Sequence, residues 1–236
     1  MDHRTREYYD LRAAELACRY DGARGGVAER FDRAFPRGGR VLDVGAGSGR
    51  DLNRLLLGGW DGWGAEPCRA LIGEAERLYP AVRGRIRQSA LPDLDGIGDG
   101  AFDGVLCSAV LMHLADGELE RSFTGIRRVL RDGGTFLVSL PLDGEGRPFR
   151  GGDDDGRLFN GLSPEGLERG LAKRGFASLG RWENGDGLGR DDRRWALGLF
   201  RLSRRGDGAV FPPEAASDRR RLPADGVPPG RGRVRR

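Results

Sequence analysis

Short apolar runs recur along the chain at strand length, and amphipathic stretches separate them. The runs predict strands over 40–44, 62–66, 84–87, 102–107, 135–140, 177–182 and 195–202. Leu119, Phe123, Ile126 and Leu130 fall on one face of a helix over 118–130. A second helix opens with Ser163 as N-cap and Pro164 at the first helical position, carries Leu167 and Leu171 on one face, and stops at Gly175. Near the amino terminus, Tyr8, Leu11, Ala14, Leu16 and Cys18 predict one amphipathic helix over about residues 4–20. Strands alternating with helices predict an α/β domain over 1–202, with a mostly parallel sheet in its core, 40–202. The stretch 143–161 is long, glycine-rich and acidic, as lids and binding loops are. From Ser203 onward, five prolines, dense charge and almost no apolar period predict a disordered basic tail over 203–236.

Composition narrows the partners. A chain of 236 residues is long enough for one α/β domain with a sizeable core. Lysine occurs once, at Lys173, so nearly all positive charge is arginine, as a GC-rich coding sequence would give. The formal charge of +4 belongs to the tail, which holds nine arginines against four acids and leaves the body near neutral. A neutral body argues against an enzyme that grips nucleic acid across its folded face. The tail's Arg219, Arg220 and Arg221 read as solvated. Cys18, Cys68 and Cys107 are odd in number and far apart, so neither a disulfide framework nor a zinc site is expected. Adjacent Asp153, Asp154 and Asp155 read as a solvated loop, and no metal is expected. Residues 1–6 lack the apolar core of a signal peptide and no run reaches membrane-spanning length, so a cytoplasmic location is expected.

The chemistry concentrates in Val41-Leu42-Asp43-Val44-Gly45-Ala46-Gly47-Ser48-Gly49-Arg50-Asp51. An apolar strand runs into three alternating glycines and then an amphipathic stretch. Glycines permit a tight turn and let a ligand lie against bare backbone, while the following helix offers unpaired N–H groups. A dinucleotide fingerprint would need glycine or alanine where Arg50 stands. Asp43 at the strand end favours a cationic ligand over a pyrophosphate. S-adenosylmethionine carries an ammonium and a sulfonium and no phosphate, so it suits this site better than NAD does.

With these residues the chain resembles the class I S-adenosylmethionine-dependent methyltransferases, from about Tyr8 to Leu202. Asp43 to Gly49 is similar to their first motif, D-x-G-x-G-x-G, and Trp63-Gly64-Ala65-Glu66-Pro67 to the acidic end of their second strand. Phe102 to Leu114 resembles the fourth strand with its loop, and Leu130-Arg131-Asp132-Gly133-Gly134 the turn into the fifth. The resemblance implies a Rossmann-like, doubly wound sheet of seven mostly parallel strands, the last antiparallel, with helices on both faces. It implies S-adenosylmethionine held by Asp43, Gly45, Ala46, Gly47, Gly49 and Asp51, with Glu66 on the ribose hydroxyls beside Pro67. Gln88 or Ser89, followed by Ala90, stands where the family often has an aspartate on the adenine, and Ser108 follows the fourth strand.

His113 is the candidate catalytic side chain: a base for the acceptor's proton, or a packed residue that shapes the pocket. In-line positioning carries most of a methyl transfer, which favours shape. Tyr8 and Tyr9 either fold over the cofactor or pack in the core. The expected activity is transfer of a methyl group to a small-molecule acceptor. The rival readings are a non-catalytic protein that binds S-adenosylmethionine or a partner, and an NAD(P)-dependent reductase.

Overall fold

A computed structural model describes residues 3–204 except Arg24. Helices α1 (His3–Leu11) and α2 (Ala13–Asp21) open the chain, and a short α3 (Phe31–Ala34) precedes the first strand. Then follow β1 (Arg40–Val44), α4 (Arg50–Leu57), β2 (Asp61–Glu66), α5 (Arg69–Leu78), β3 (Ile86–Gln88), β4 (Phe102–Ser108) and α6 (Asp116–Val129). The second half contains β5 (Leu130–Asp143), β6 (Arg150–Gly152), β7 (Leu158–Asn160), α7 (Pro164–Ala172), β8 (Phe176–Gly185) and β9 (Arg193–Leu202).

Seven strands form one sheet in the order β3-β2-β1-β4-β5-β9-β8. The pairs from β3 through to β5 are parallel, and β9 runs antiparallel to both β5 and β8. Strand order reverses between β1 and β4, and such a switch point opens a crevice at the carboxyl ends of the strands. The inner strands are apolar almost throughout because both faces are covered. Alternation sorts their side chains: Leu42, Val44, Val105, Cys107, Phe136 and Val138 meet Phe123 and Ile126 of α6 and Leu167 and Leu171 of α7. Val41, Leu106 and Leu137 point the other way, onto Phe31, Phe35, Leu55 and Trp60.

Three expectations need correction. The amino-terminal helix is two helices, broken at Arg12, whose backbone (φ −113, ψ 18) leaves the helical region. The stretch read as an acidic loop contains a second, antiparallel sheet, β6–β7. Asp153 closes the turn of this hairpin by accepting the Arg157 N–H (2.9 Å), and the exposed Asp155 pairs with Arg12 (2.9 Å). The boundary at Ser203 also moves: the Ser203 N–H donates to the Gly175 carbonyl, and the Arg204 guanidinium to the carbonyls of Arg127, Arg128 and Leu130. The rest of the predicted tail lies outside the described residues. Among the described residues no helix is long and apolar enough to cross a membrane, and no group of three or more His, Cys, Asp or Glu side chains could hold a metal.

Candidate functional site

A cavity of about 260 Å³ lies at the carboxyl ends of the central strands, under α1, α2 and the β6–β7 hairpin. The glycine loop after β1 forms one wall. Gly45 (φ +73) and Gly47 (φ +53) take left-handed backbone, and a Cβ on Gly45 would meet Val110 Cγ2 at 2.3 Å. Ala109 holds φ +59 at the cavity edge without being glycine, and its N–H donates to Ser139 Oγ (3.1 Å). Strain of this kind persists where surrounding structure over-determines it, and it clusters at functional sites.

Two carboxyls stand at this wall. Glu66, only 4% exposed, ends β2 and accepts from the backbone N–H of Gly47 (2.8 Å) and of Cys68 (2.9 Å). It therefore clamps the glycine loop to the second strand. Burial pushes its carboxyl up to about 7, against the pull of those two donors. Asp43, 2% exposed at the end of β1, is pushed well above the carboxylate range by burial and by Asp51, with Arg50 opposing. The wall is thus short of positive charge: two buried acids have no cation bonded to them among the described residues. A ligand with cationic groups and hydroxyl donors fits this wall, and S-adenosylmethionine carries both.

Of the residues expected to hold that ligand, Asp43, Gly45, Ala46 and Gly47 line the cavity. So do Asp51, Glu66, Pro67, Ala90 and Ser108. The Asp51 carboxylate is already engaged, taking Arg50 Nε (3.0 Å) and Nη2 (2.9 Å) and Arg54 Nη1 (3.2 Å). Gly49, Gln88 and Ser89 stand off the lining. Gly49 faces α5, where a Cβ would lie 2.8 Å from Ala75 Cβ. Gln88 is exposed and donates to the Pro67 carbonyl, and Ser89 Oγ donates to the Asp95 carbonyl.

His113, 3% exposed, faces the cavity from the turn after β4. Its Nδ1 lies 2.7 Å from the Leu158 carbonyl, which can only accept, so Nδ1 carries the proton. Nε2 is then an acceptor for the Tyr9 hydroxyl (3.2 Å). Burial, helped by Arg157, holds the imidazole down at about 4. It is neutral at pH 7 and a weak base. Tyr8 is buried and does not line the cavity; the guanidinium groups of Arg12 (4.9 Å) and Arg157 (4.7 Å) lie over its ring.

Sequence reasoning missed the far half of the cavity. Tyr20, Arg157 and Phe159 line it, with Asn184 near the end of β8, Asp186 just beyond that strand, and Arg193 and Trp195 on β9. No local pattern marks these residues. The pairing of β9 between β5 and β8 brings Asn184, Arg193 and Trp195 beside Ser139 and Pro141, while Tyr20 comes from α2 and Arg157 and Phe159 from the β6–β7 hairpin.

This sheet, with its glycine loop at the switch point, defines a nucleotide-type binding fold of the doubly wound class. The chain belongs to the methyltransferase-domain family, whose model matches residues 17–179. A protein of Encephalitozoon cuniculi (strain GB-M1), named a methyltransferase by inference, is 35% identical over 117 residues. The match covers 48% of this chain and 50% of that one, so the chain spans about half the length of this curated relative. Among solved structures, the 1,6-didemethyltoxoflavin-N1-methyltransferase of Burkholderia thailandensis, with 1,6-didemethyltoxoflavin and S-adenosylhomocysteine bound, has a TM-score of 0.64 and 21% identity, over 84% of each chain. A [4+2]-cyclase is similar too (TM-score 0.61, 19% identity, 84% of this chain and 94% of that one). Likeness at these identities is likeness of fold, and fold alone does not choose the reaction.

Proposed function

We propose that this protein transfers the methyl group of S-adenosylmethionine to a small-molecule acceptor in the cytoplasm. One observation carries the reading: the glycine loop and the buried acids Asp43 and Glu66 form a wall that calls for a cationic, hydroxyl-bearing ligand, beside a covered chamber. Glu66 would take the ribose hydroxyls on the lone pairs its backbone donors leave free, and Asp43 would balance the ligand's positive charge. The backbone of Gly45 and Gly47, bare of side chains, lets the ligand lie close. S-adenosylmethionine supplies a methyl on a sulfonium, so an incoming N, O, C or S nucleophile forms its bond to carbon as the carbon–sulfur bond breaks and S-adenosylhomocysteine leaves.

What the chain then contributes is position and exclusion of water. Arg50 donates to the Tyr20 carbonyl (3.2 Å), Arg54 to the Ala23 carbonyl (3.1 Å) and the Cys68 thiol to Asp10 (2.8 Å), holding α1 and α2 down on α4 and α5. Tyr9 and His113 meet beneath that cover and shape the space where donor and acceptor come together. The cover is why a small acceptor, rather than a macromolecule, is proposed. The test is incubation with methyl-labelled donor and a fractionated metabolite extract. Labelled small molecules that depend on intact Asp43 and Glu66 are expected. Tight donor binding with no labelled product from any fraction would favour a protein that binds the cofactor without turnover.

A further inference from the structure

The far half of the cavity holds four arginines, and three of them have acidic partners. Arg19 pairs with Glu15 (2.8 Å), Arg157 with Asp153 (2.6 Å) and Arg190 with Asp186 (2.7 Å). Arg193 has none within ion-pair distance among the described residues. Each acid near it serves another group. Asp143, its register partner on β5, is taken by Arg147 (2.9 Å), and Asp186 also accepts from Trp195 Nε1 (2.9 Å). Asp192 acts on Arg193 from the adjacent exposed position without bonding it. The Arg193 guanidinium instead lies 5.0 Å over the Phe149 ring, and its buried Nε has no hydrogen-bond partner. A buried donor without a partner is destabilising, so such a group is held ready for an acceptor. Burial and the nearby Arg190 both disfavour its charge, and a bound anion would relieve both.

We propose that Arg193 anchors an anionic group of the acceptor, which makes the substrate class a small organic acid, carboxylate or phosphate monoester, with a flat or apolar body over Trp195. That the bound acid is the methyl acceptor rests on the methyl-transfer reading; the acid site itself stands on the Arg193 geometry. Leu197, Trp195 and Arg193 lie two residues apart on one face of β9, all on the cavity. Leu197 pairs in register with Ser139, the residue bonded to Ser108 at the end of β4. Arg193 is four residues farther along, about 13 Å at strand rise. The anchored acid is therefore remote from the strand end that bears the glycine-loop wall, and it is not the group that takes the methyl.

The test titrates 2-naphthoate, 2-naphthyl phosphate and neutral 2-naphthamide into the full chain by calorimetry, with and without S-adenosylhomocysteine. Wild type, Arg193→Gln and Arg193→Lys are compared. At least one acid should bind about tenfold or more tightly than the amide, the size of one charge-assisted bond. Arg193→Gln should erase that preference and Arg193→Lys keep part of it. The acid that benefits identifies carboxylate or phosphate as the natural group. Equal binding of acids and amide, no binding of either acid, or a preference that survives Arg193→Gln overturns the inference. An acid preference in a protein that does not bind S-adenosylhomocysteine would overturn the methyl-transfer reading and leave the acid site standing.

Discussion

Burial pushes the Glu66 carboxyl up to about 7 and the His113 imidazole down to about 4, so the two groups act on stability in opposite directions. Between pH 4.5 and 7 the folded protein keeps a proton on Glu66 that the unfolded chain has released, and this stability is lost as pH rises. Between pH 6.5 and 4 the unfolded chain protonates its histidine while folded His113 stays neutral, and stability is lost as pH falls. Single variants separate the slopes. Relative to wild type, His113→Gln should gain on the order of 2 kcal/mol in unfolding free energy on going from pH 7 to about pH 4.5. Glu66→Gln should gain in the other direction. Urea unfolding at both pH values decides it, and a His113→Gln difference that ignores pH contradicts a neutral, buried imidazole. The same state bears on catalysis. An obligate base would lose roughly 100- to 10,000-fold on substitution. His113→Gln should lose far less, and the pH–rate profile should carry no limb near 6.5 that the variant abolishes. At Glu66 the ligand's hydroxyls favour the carboxylate, so donor affinity should rise with pH through about 7. Glu66→Gln should weaken it by about 1.5–3 kcal/mol.

The glycine loop offers the corresponding test for an element. Alanine at Gly59 meets nothing within 4 Å and should cost only the left-handed backbone, about 1–2 kcal/mol. Alanine at Gly45 carries the same backbone cost and drives Val110 out of place on the cavity wall. It should cost more and also abolish donor binding, whereas equal effects of both variants in unfolding and calorimetry would contradict the close-fitting loop. How legible each element was follows from where its determinants lie. The inner strands were plain because burial on both faces makes them continuously apolar. At the edge, β3 is polar and half-exposed, and its bounds shift from 84–87 to Ile86–Gln88. The break at Arg12 leaves the spacing of apolar residues intact, so no periodicity shows it. The β6–β7 hairpin has three residues a side and two glycines, too little for a pattern. A tertiary bond helps fix it: Thr5 Oγ1 accepts the Leu158 N–H (2.9 Å) from far away in sequence. The glycine-loop residues sit on one contiguous segment, which local reading can find. The arginines of the far half are scattered, and in a chain so rich in arginine none stands out.

For the molecule as a whole, the docked part of the chain reaches past Leu202 to Ser203 and Arg204. Truncation after Arg204 should leave Tm and donor affinity unchanged. Truncation after Leu202 removes the bonds of Ser203 to Gly175 and of Arg204 to Asp132 and the α6–β5 junction. At about 0.5–1.5 kcal/mol each, it should lower Tm by several degrees. Identical melting of the two would contradict a docked Arg204. The fold itself also serves a [4+2]-cyclase, so the claim on which all else depends is the ligand that the glycine loop and its acids select. Calorimetric titration of the full chain with S-adenosylmethionine, S-adenosylhomocysteine and NADH tests it most directly. Saturable 1:1 binding of the first two, weakened in Asp43→Asn and Glu66→Gln, and no heat from NADH is the predicted result. Binding of NADH, or no binding of either S-adenosyl compound by the folded wild type, would contradict it.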